Sequence, residues 1–164
     1  GAERGYMWIS YTSNSIGYGA IWVKAQTKMI SLKSMANGKY VSAGNGGAAP
    51  LVANSTAVGL SETFEIVSMD LGKIALKSTA NGKFVSVDNG TAKSLIANLS
   101  AVQSGANFAI GPGYMGGALL YSTANGNYVS ANHGTTASLV ADFPGNLGMY
   151  LGPWEMFQIV NVSH

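Results

Sequence analysis

STANGKFVSVDNG (residues 78–90) and STANGNYVSANHG (122–134) restate a phrase first written as SMANGKYVSAGNG (34–46). Asn37, Asn81 and Asn125 fall 44 residues apart, each followed by Gly. A second phrase keeps the same register: Leu51-Val52-Ala53-Asn54, Leu95-Ile96-Ala97-Asn98 and Leu139-Val140-Ala141-Asp142. Phe64 and Phe108 are also 44 apart, whereas Phe157 comes 49 later, so the third copy carries five extra residues. Two phrases held in one register three times define an internal repeat. The repeats span about 29–70, 73–114 and 117–162.

Each repeat reads as strands. In the second, Ile74, Leu76 and Ser78 alternate with Ala75 and Lys77, and Phe84, Ser86 and Asp88 alternate with Val85 and Val87. Such short alternating runs are half-buried strands. Asn81-Gly82 between them predicts a type I′ hairpin turn, which needs positive φ at both central residues. Asp88-Asn89-Gly90 predicts another turn, and SLIAN and NFAIG add two more strands. No helical stripe of useful length interrupts them. Four strands per repeat suit a β-propeller or a β-trefoil, but a propeller needs at least about four blades to close. Three copies therefore predict an all-β fold: a β-trefoil over 29–162, a closed six-stranded barrel capped by three hairpins. Equivalent residues should meet near the threefold axis: Leu32/Leu76/Leu120, Val41/Val85/Val129, Val52/Ile96/Val140 and Phe64/Phe108/Phe157. Residues 1–28 stand outside the repeat and predict a short β extension, with strands flanking Ser13-Asn14-Ser15. They read as a hairpin on the barrel flank, the tail of a preceding domain, or an aromatic platform built on Tyr6, Trp8, Tyr11, Tyr18 and Trp22.

Composition narrows the function. The chain is 47% hydrophobic and 10% charged, with 22 Gly and no Cys. Disulfides and thiolate metal sites are excluded, and no apolar run is long enough for a membrane helix. GAERGYMWIS lacks the form of a signal peptide, and the sequence reads as a piece excised from a longer secreted, bacterial protein. All nine Lys and Arg lie within residues 4–93, yet they do not cluster with aromatics as nucleic-acid binding requires. Four Asn-x-Ser/Thr matches are what chance gives in such a composition. His133 falls where the other repeats have Asn45 and Asn89, a turn position. Gly111-Pro112-Gly113-Tyr114-Met115-Gly116 matches GxGxxG but leads into a strand, not the helix that a dinucleotide needs. No pair of carboxylates or nucleophile constellation marks an enzyme, and no cofactor or metal is expected.

One feature breaks the threefold pattern. Trp154-Glu155 precede Phe157, where the earlier repeats have Ser61-Glu62 and Gly105-Ala106. The insertion before it brings Tyr150. A ring that stacks on a pyranose, with a carboxylate beside it to accept hydroxyls, is a common sugar-binding arrangement. The bland reading of Trp154 is packing under the enlarged loop.

ANGKYVSA (36–43), PLVAN (50–54) and WEMFQIV (154–160) resemble the fascin-like β-trefoil domains, most closely those appended to bacterial extracellular glycan hydrolases. The resemblance covers 29–162. It implies a non-catalytic carbohydrate-binding module for a β-glucan-type or related polysaccharide, joined to a catalytic domain; the alternative is a fascin-like protein-binding domain of actin or adhesion type. Members of this kind read AENGG…LIANR…GxWExF. Only Trp154 and Glu155 match the full Trp-Glu pair, and Glu62 matches the acid alone. The acid of AEN is Gly44, Asp88 and Asn132 here, and the Arg is Ser55, Leu99 and Phe143. The implied site is Trp154, Glu155, Tyr150, Glu62 and Asp88, centred on repeat three; repeat two has neither the Trp nor the Glu and keeps only the carboxylate of Asp88. The Gln-x-Trp of ricin-type lectins is absent: the strands read FEIV, FAIG and FQIV.

Overall fold

The computed structural model describes residues 6–8, 22–24, 29–69, 72–88, 93–113, 116–131, 137–144 and 151–162. Strands β1 (Tyr6–Trp8) and β2 (Trp22–Lys24) pair antiparallel as a small sheet of their own. The turn expected between them lies outside the described residues. Repeat one contributes β3 (Met29–Ser34), β4 (Tyr40–Ser42), β5 (Val52–Ser55) and β6 (Phe64–Ser68). Repeat two contributes β7 (Ile74–Ser78), β8 (Phe84–Val87), β9 (Leu95–Leu99) and β10 (Phe108–Pro112). Repeat three contributes β11 (Ala118–Ser122), β12 (Asn127–Ser130), β13 (Val140–Pro144) and β14 (Phe157–Asn161).

The outer strands of the repeats pair in a ring: β3 with β6, β6 with β7, β7 with β10, β10 with β11, β11 with β14, and β14 back to β3. A closed ring leaves no barrel edge for another chain to extend. The inner pairs β4–β5, β8–β9 and β12–β13 form the three hairpins, each with a register shift at the equivalent position, after Tyr40, Phe84 and Tyr128. This is the β-trefoil. Phe64, Phe108 and Phe157 occupy equivalent barrel positions, opposite Ser78, Ser122 and Ser34, and all three are fully buried. Leu32, Leu76 and Leu120 and the three equivalent valines are buried as expected.

One predicted axial set is off by a residue. Val140 is buried as expected, but Val52 and Ile96 are only half-buried, whereas Leu51, Leu95 and Leu139 are at most 1% exposed. In a strand, side chains alternate between faces, and the small Ala53, Ala97 and Ala141 take the next inward position. The run Leu-Val-Ala is apolar throughout, so its alternation does not show which face is inward. The leucine backbones also meet. Leu51 N–H donates to Leu95 O (2.8 Å), Leu95 N–H to Leu139 O (3.0 Å), and Leu139 N–H to Leu51 O (2.7 Å). This cycle links the three hairpins across the pseudo-threefold axis.

The hairpin tip also departs from the expected type I′ turn. Among the described residues, only Asn45 and Lys93 have positive φ besides glycines, so Asn37, Asn81 and Asn125 do not. Gly38, Gly82 and Gly126 do, at +71°, +72° and +76°. Gly38 N–H donates back to Ser34 O and Ser34 N–H to Lys39 O, which makes a four-residue loop with glycine in the left-handed conformation. The Asn side chain is then free to act as a clip. Each Nδ2 donates to the Ala carbonyl sixteen residues on (Ala53, Ala97, Ala141) at 2.9–3.1 Å. Each Oδ1 accepts from the backbone N–H two residues on, at 2.9–3.0 Å. The two repeated phrases keep one register because the first is bonded to the second.

Asn37→Asp keeps the acceptor for Lys39 and deletes the donor to Ala53. It should lower the unfolding free energy by about 1–3 kcal/mol, read from urea denaturation; an unchanged midpoint would mean that the clip contributes nothing. Gly47 has φ +92°, and a Cβ there would collide with the Asn81 side chain, whereas Gly38 faces open space. Gly47→Ala should therefore destabilise clearly more than Gly38→Ala, which bears only the conformational cost of about 1–2 kcal/mol. Equal losses for the two variants would show that the Asn81 contact is irrelevant.

Candidate functional site

The acids singled out in the sequence have a shared structural task. In repeat one a 3₁₀ turn (Leu60–Glu62) runs into β6, and in repeat three the turn Pro153–Glu155 runs into β14. Glu62 accepts from Gly59 N–H (2.8 Å) through Oε1 and from Ser42 Oγ (2.6 Å) through Oε2. Glu155 accepts from Gly152 N–H (2.9 Å) and Ser130 Oγ (2.9 Å) in the same way. Glu155 is 4% exposed. These carboxyl groups tie the turn to the hairpin strand and complete the orphan N–H groups at the turn's start. Both Glu155 carboxylate oxygens thus accept from the protein itself, where the sequence suggested an open acceptor for sugar hydroxyls, and Glu62 repeats the geometry. Trp154 is half-buried and packs on the hydrophobic core, while its carbonyl accepts from Ala131 N–H at 2.8 Å. Tyr150 lies outside the described residues.

Repeat two builds the same turn without the acid. Ala106 N–H still donates to Gln103 O (2.8 Å) in the 3₁₀ turn Ser104–Ala106. Ala106, fully buried, stands in the place of the glutamate. Ser86, the equivalent of Ser42 and Ser130, donates instead to Asn98 Oδ1 at 2.7 Å. With no carboxylate spanning the gap and Gly105 in the place of the indole, a cleft of about 490 Å³ opens there. Ser86, Asp88 and Lys93 line it from the β8 side, Asn98 and Leu99 from β9. Gln103 and Gly105 come from the turn, and Ala124 and Asn125 from the hairpin tip of repeat three. Asp88, Asn98 and Gln103 are exposed. Asp88, an expected site residue, lines this cleft, and the cleft belongs to the repeat that lacks both the Trp and the Glu. The signal was present, in the loss of Glu and Trp together, but a missing side chain reads as a missing site unless its framework role is known. Among the described residues no group of His, Asp and Glu is placed to hold a metal ion.

Glu155→Ala would remove the carboxylate that accepts from the Ser130 hydroxyl and the Gly152 N–H, and should cost about 2–4 kcal/mol of stability. A thermal melt decides the matter: a variant that melts like the parent but loses ligand binding would return Glu155 to the binding site.

The comparisons with known proteins agree with the architecture. The chain is similar in structure to a designed 3-fold symmetric protein, ThreeFoil, at a TM-score of 0.71 and 15% identity, covering 82% of this chain and 99% of that one. It is also similar to an exo-beta-1,3-galactanase from Clostridium thermocellum at a TM-score of 0.68 and 16% identity, covering 88% of this chain and 32% of the galactanase. No curated protein sequence matches significantly. The model of the FRG1-like domain matches residues 18–111, more than half of the sequence, and the chain belongs to the FRG1-like domain family.

Proposed function

We propose that this domain is a non-catalytic carbohydrate-binding module, carried by a secreted glycan hydrolase, whose ligand sits in the repeat-two cleft. The observation that carries the reading is the chemistry of that cleft. It offers an exposed carboxylate (Asp88), an ammonium (Lys93) and two exposed side-chain amides (Asn98, Gln103) around a small apolar floor of Val87 and Leu99. Dense, mixed donors and acceptors suit a polyhydroxylated ligand. Its volume lies in the roughly 300–1,000 Å³ range of small-ligand sites. The likeness to about a third of a galactanase chain supports the same reading and adds β-1,3-galactan to the β-glucans as a ligand class.

A protein partner is the second reading. Leu60 is 71% exposed and Val58 is 38% exposed on the loop before β6, the exposed large hydrophobic side chains among the described residues. The two readings separate in one panel: retention on β-1,3-galactan, β-1,3-glucan, β-1,4-glucan and xylan, beside co-sedimentation with actin filaments. Retention by a glycan, reduced about ten-fold or more by Asp88→Ala at an unchanged melting temperature, is the expected result. Actin binding that Leu60→Ser abolishes, with no glycan retained, would replace the proposal.

A further inference from the structure

Three equivalent serines, Ser42, Ser86 and Ser130, send their hydroxyls to two different ends. Resting on the carbohydrate reading of the repeat-two cleft, we infer that the Asn98 amide contacts the ligand there and that Ser86 is its positioning residue, whereas Ser42 and Ser130 serve the fold.

The register of the hairpin is the first observation. Phe84 pairs with Leu99 and Val85 with Ala97, so Asn98 falls between two successive pairs and has no partner on β8. Asn54 and Asp142 fall at the same place in the other two hairpins. One extra residue in one strand bends that strand and re-aims a side chain. Asn98 is exposed and lines the cleft. An exposed amide samples several rotamers, and a ligand that must freeze it binds more weakly than one that finds it already held. The direction of the serine hydroxyl is the second observation. Ser42 Oγ donates to Glu62 and Ser130 Oγ to Glu155, which ties hairpin to turn. Repeat two has Ala106 in the place of that glutamate, and Ser86 Oγ donates to Asn98 Oδ1 at 2.7 Å. Ser86 is 7% exposed and sits within β8, so the bond anchors a solvent-facing amide to a buried, strand-held group. With Oδ1 engaged, the Asn98 Nδ2 hydrogens are left to donate, and none of the described residues accepts from them. Water would satisfy an exposed amide equally well, so the bond adds little to the fold. Its effect is to hold a donor at the cleft wall before the ligand arrives.

The test is calorimetric titration of the whole chain with β-1,3-linked glucose and galactose hexasaccharides, beside a thermal melt of every variant. Asn98→Ala should weaken binding about ten-fold and Ser86→Ala about three-fold, each at an unchanged melting temperature. Asn98→Asp, which keeps the acceptor for Ser86 and deletes the donor, should behave as Asn98→Ala does. Ser86→Thr retains the hydroxyl and should bind as the parent does. In the Asn98→Ala background, Ser86→Ala should have no further effect, because its influence passes through the amide. Ser42→Ala and Ser130→Ala should show the opposite pattern, a lower melting temperature with unchanged affinity. Losses from Ser86→Ala and Asn98→Ala that simply add would overturn the positioning role. So would a Ser86→Ala protein that melts as low as Ser130→Ala, since that places Ser86 in the framework. Parental affinity in Asn98→Ala, while Asp88→Ala still weakens binding, would overturn the inference and leave the carbohydrate reading intact. No heat with either hexasaccharide would remove that reading, and this inference with it.

Discussion

Three backbone hydrogen bonds, passed in a circle between Leu51, Leu95 and Leu139, hold the rest of this molecule in place. No repeat can make them alone, because each leucine donates to one neighbouring repeat and accepts from the other. A buried amide or carbonyl left without a partner costs about 1–3 kcal/mol, so the cycle is all-or-none. It forces each hairpin to reach the axis at the same height. That fixes the distance from the hairpin tip to the leucine, and the Asn clips, which bond to the Ala two residues beyond each leucine, lock that distance a second time. The strict 44-residue register of the two phrases follows. The five-residue insertion of repeat three falls between Leu139 and Phe157, outside the interval that the clip spans from Asn125 to Ala141.

A framework fixed this tightly leaves other positions free to differ. On the sheet surface, Lys33 lies 5.5 Å from the centroid of the Tyr40 ring and Lys77 lies 5.6 Å from that of Phe84, while the third repeat replaces the lysine with Tyr121, edge-on to Tyr128 at 5.1 Å. Cation–π and edge-to-face contacts are of similar modest strength, so the exchange costs the fold little. The turns before β6, β10 and β14 vary with greater consequence. Two carry a glutamate that ties turn to hairpin, and the third carries alanine with a rearranged Ser86–Asn98 pair. The rearrangement keeps the buried serine satisfied, which lets the fold tolerate the lost acid and the cleft that results.

Much of the fold was legible because it rests on repetition. Three copies of one phrase exclude a propeller by number, and the equivalence of Phe64, Phe108 and Phe157 follows from spacing. What misled was local ambiguity. An apolar Leu-Val-Ala run does not reveal its inward face, and Asn-Gly suits both the two-residue turn expected and the four-residue loop found. The candidate site was less legible, for a different reason. Trp154-Glu155 drew attention because it broke the symmetry, yet Glu155 has the same hydrogen bonds as Glu62, and the repeat whose turn lacks them is the one with Gly105-Ala106. A glutamate beside a tryptophan reads alike whether it faces solvent or a buried serine hydroxyl; only Ser130 Oγ, twenty-five residues away in sequence, distinguishes the two.

Pseudo-symmetry then bears on binding in a particular way. A residue present in all three repeats meets the same surroundings three times, and those surroundings are set by the axis and the barrel. Such residues are therefore biased toward framework roles: the leucines, the clip asparagines and the barrel phenylalanines. A ligand site needs exposed polar groups and empty space, and the framework supplies neither. Space appears where a framework side chain is deleted, and polar groups remain where the deleted side chain had left partners behind. Ser86 is such a partner, and its capture of Asn98 turns the exposed amide at the cleft wall into a fixed donor. In this domain the cavity lies at the one turn that lacks the tying acid, and Ser86, bonded to Asn98 instead, orients one of its walls.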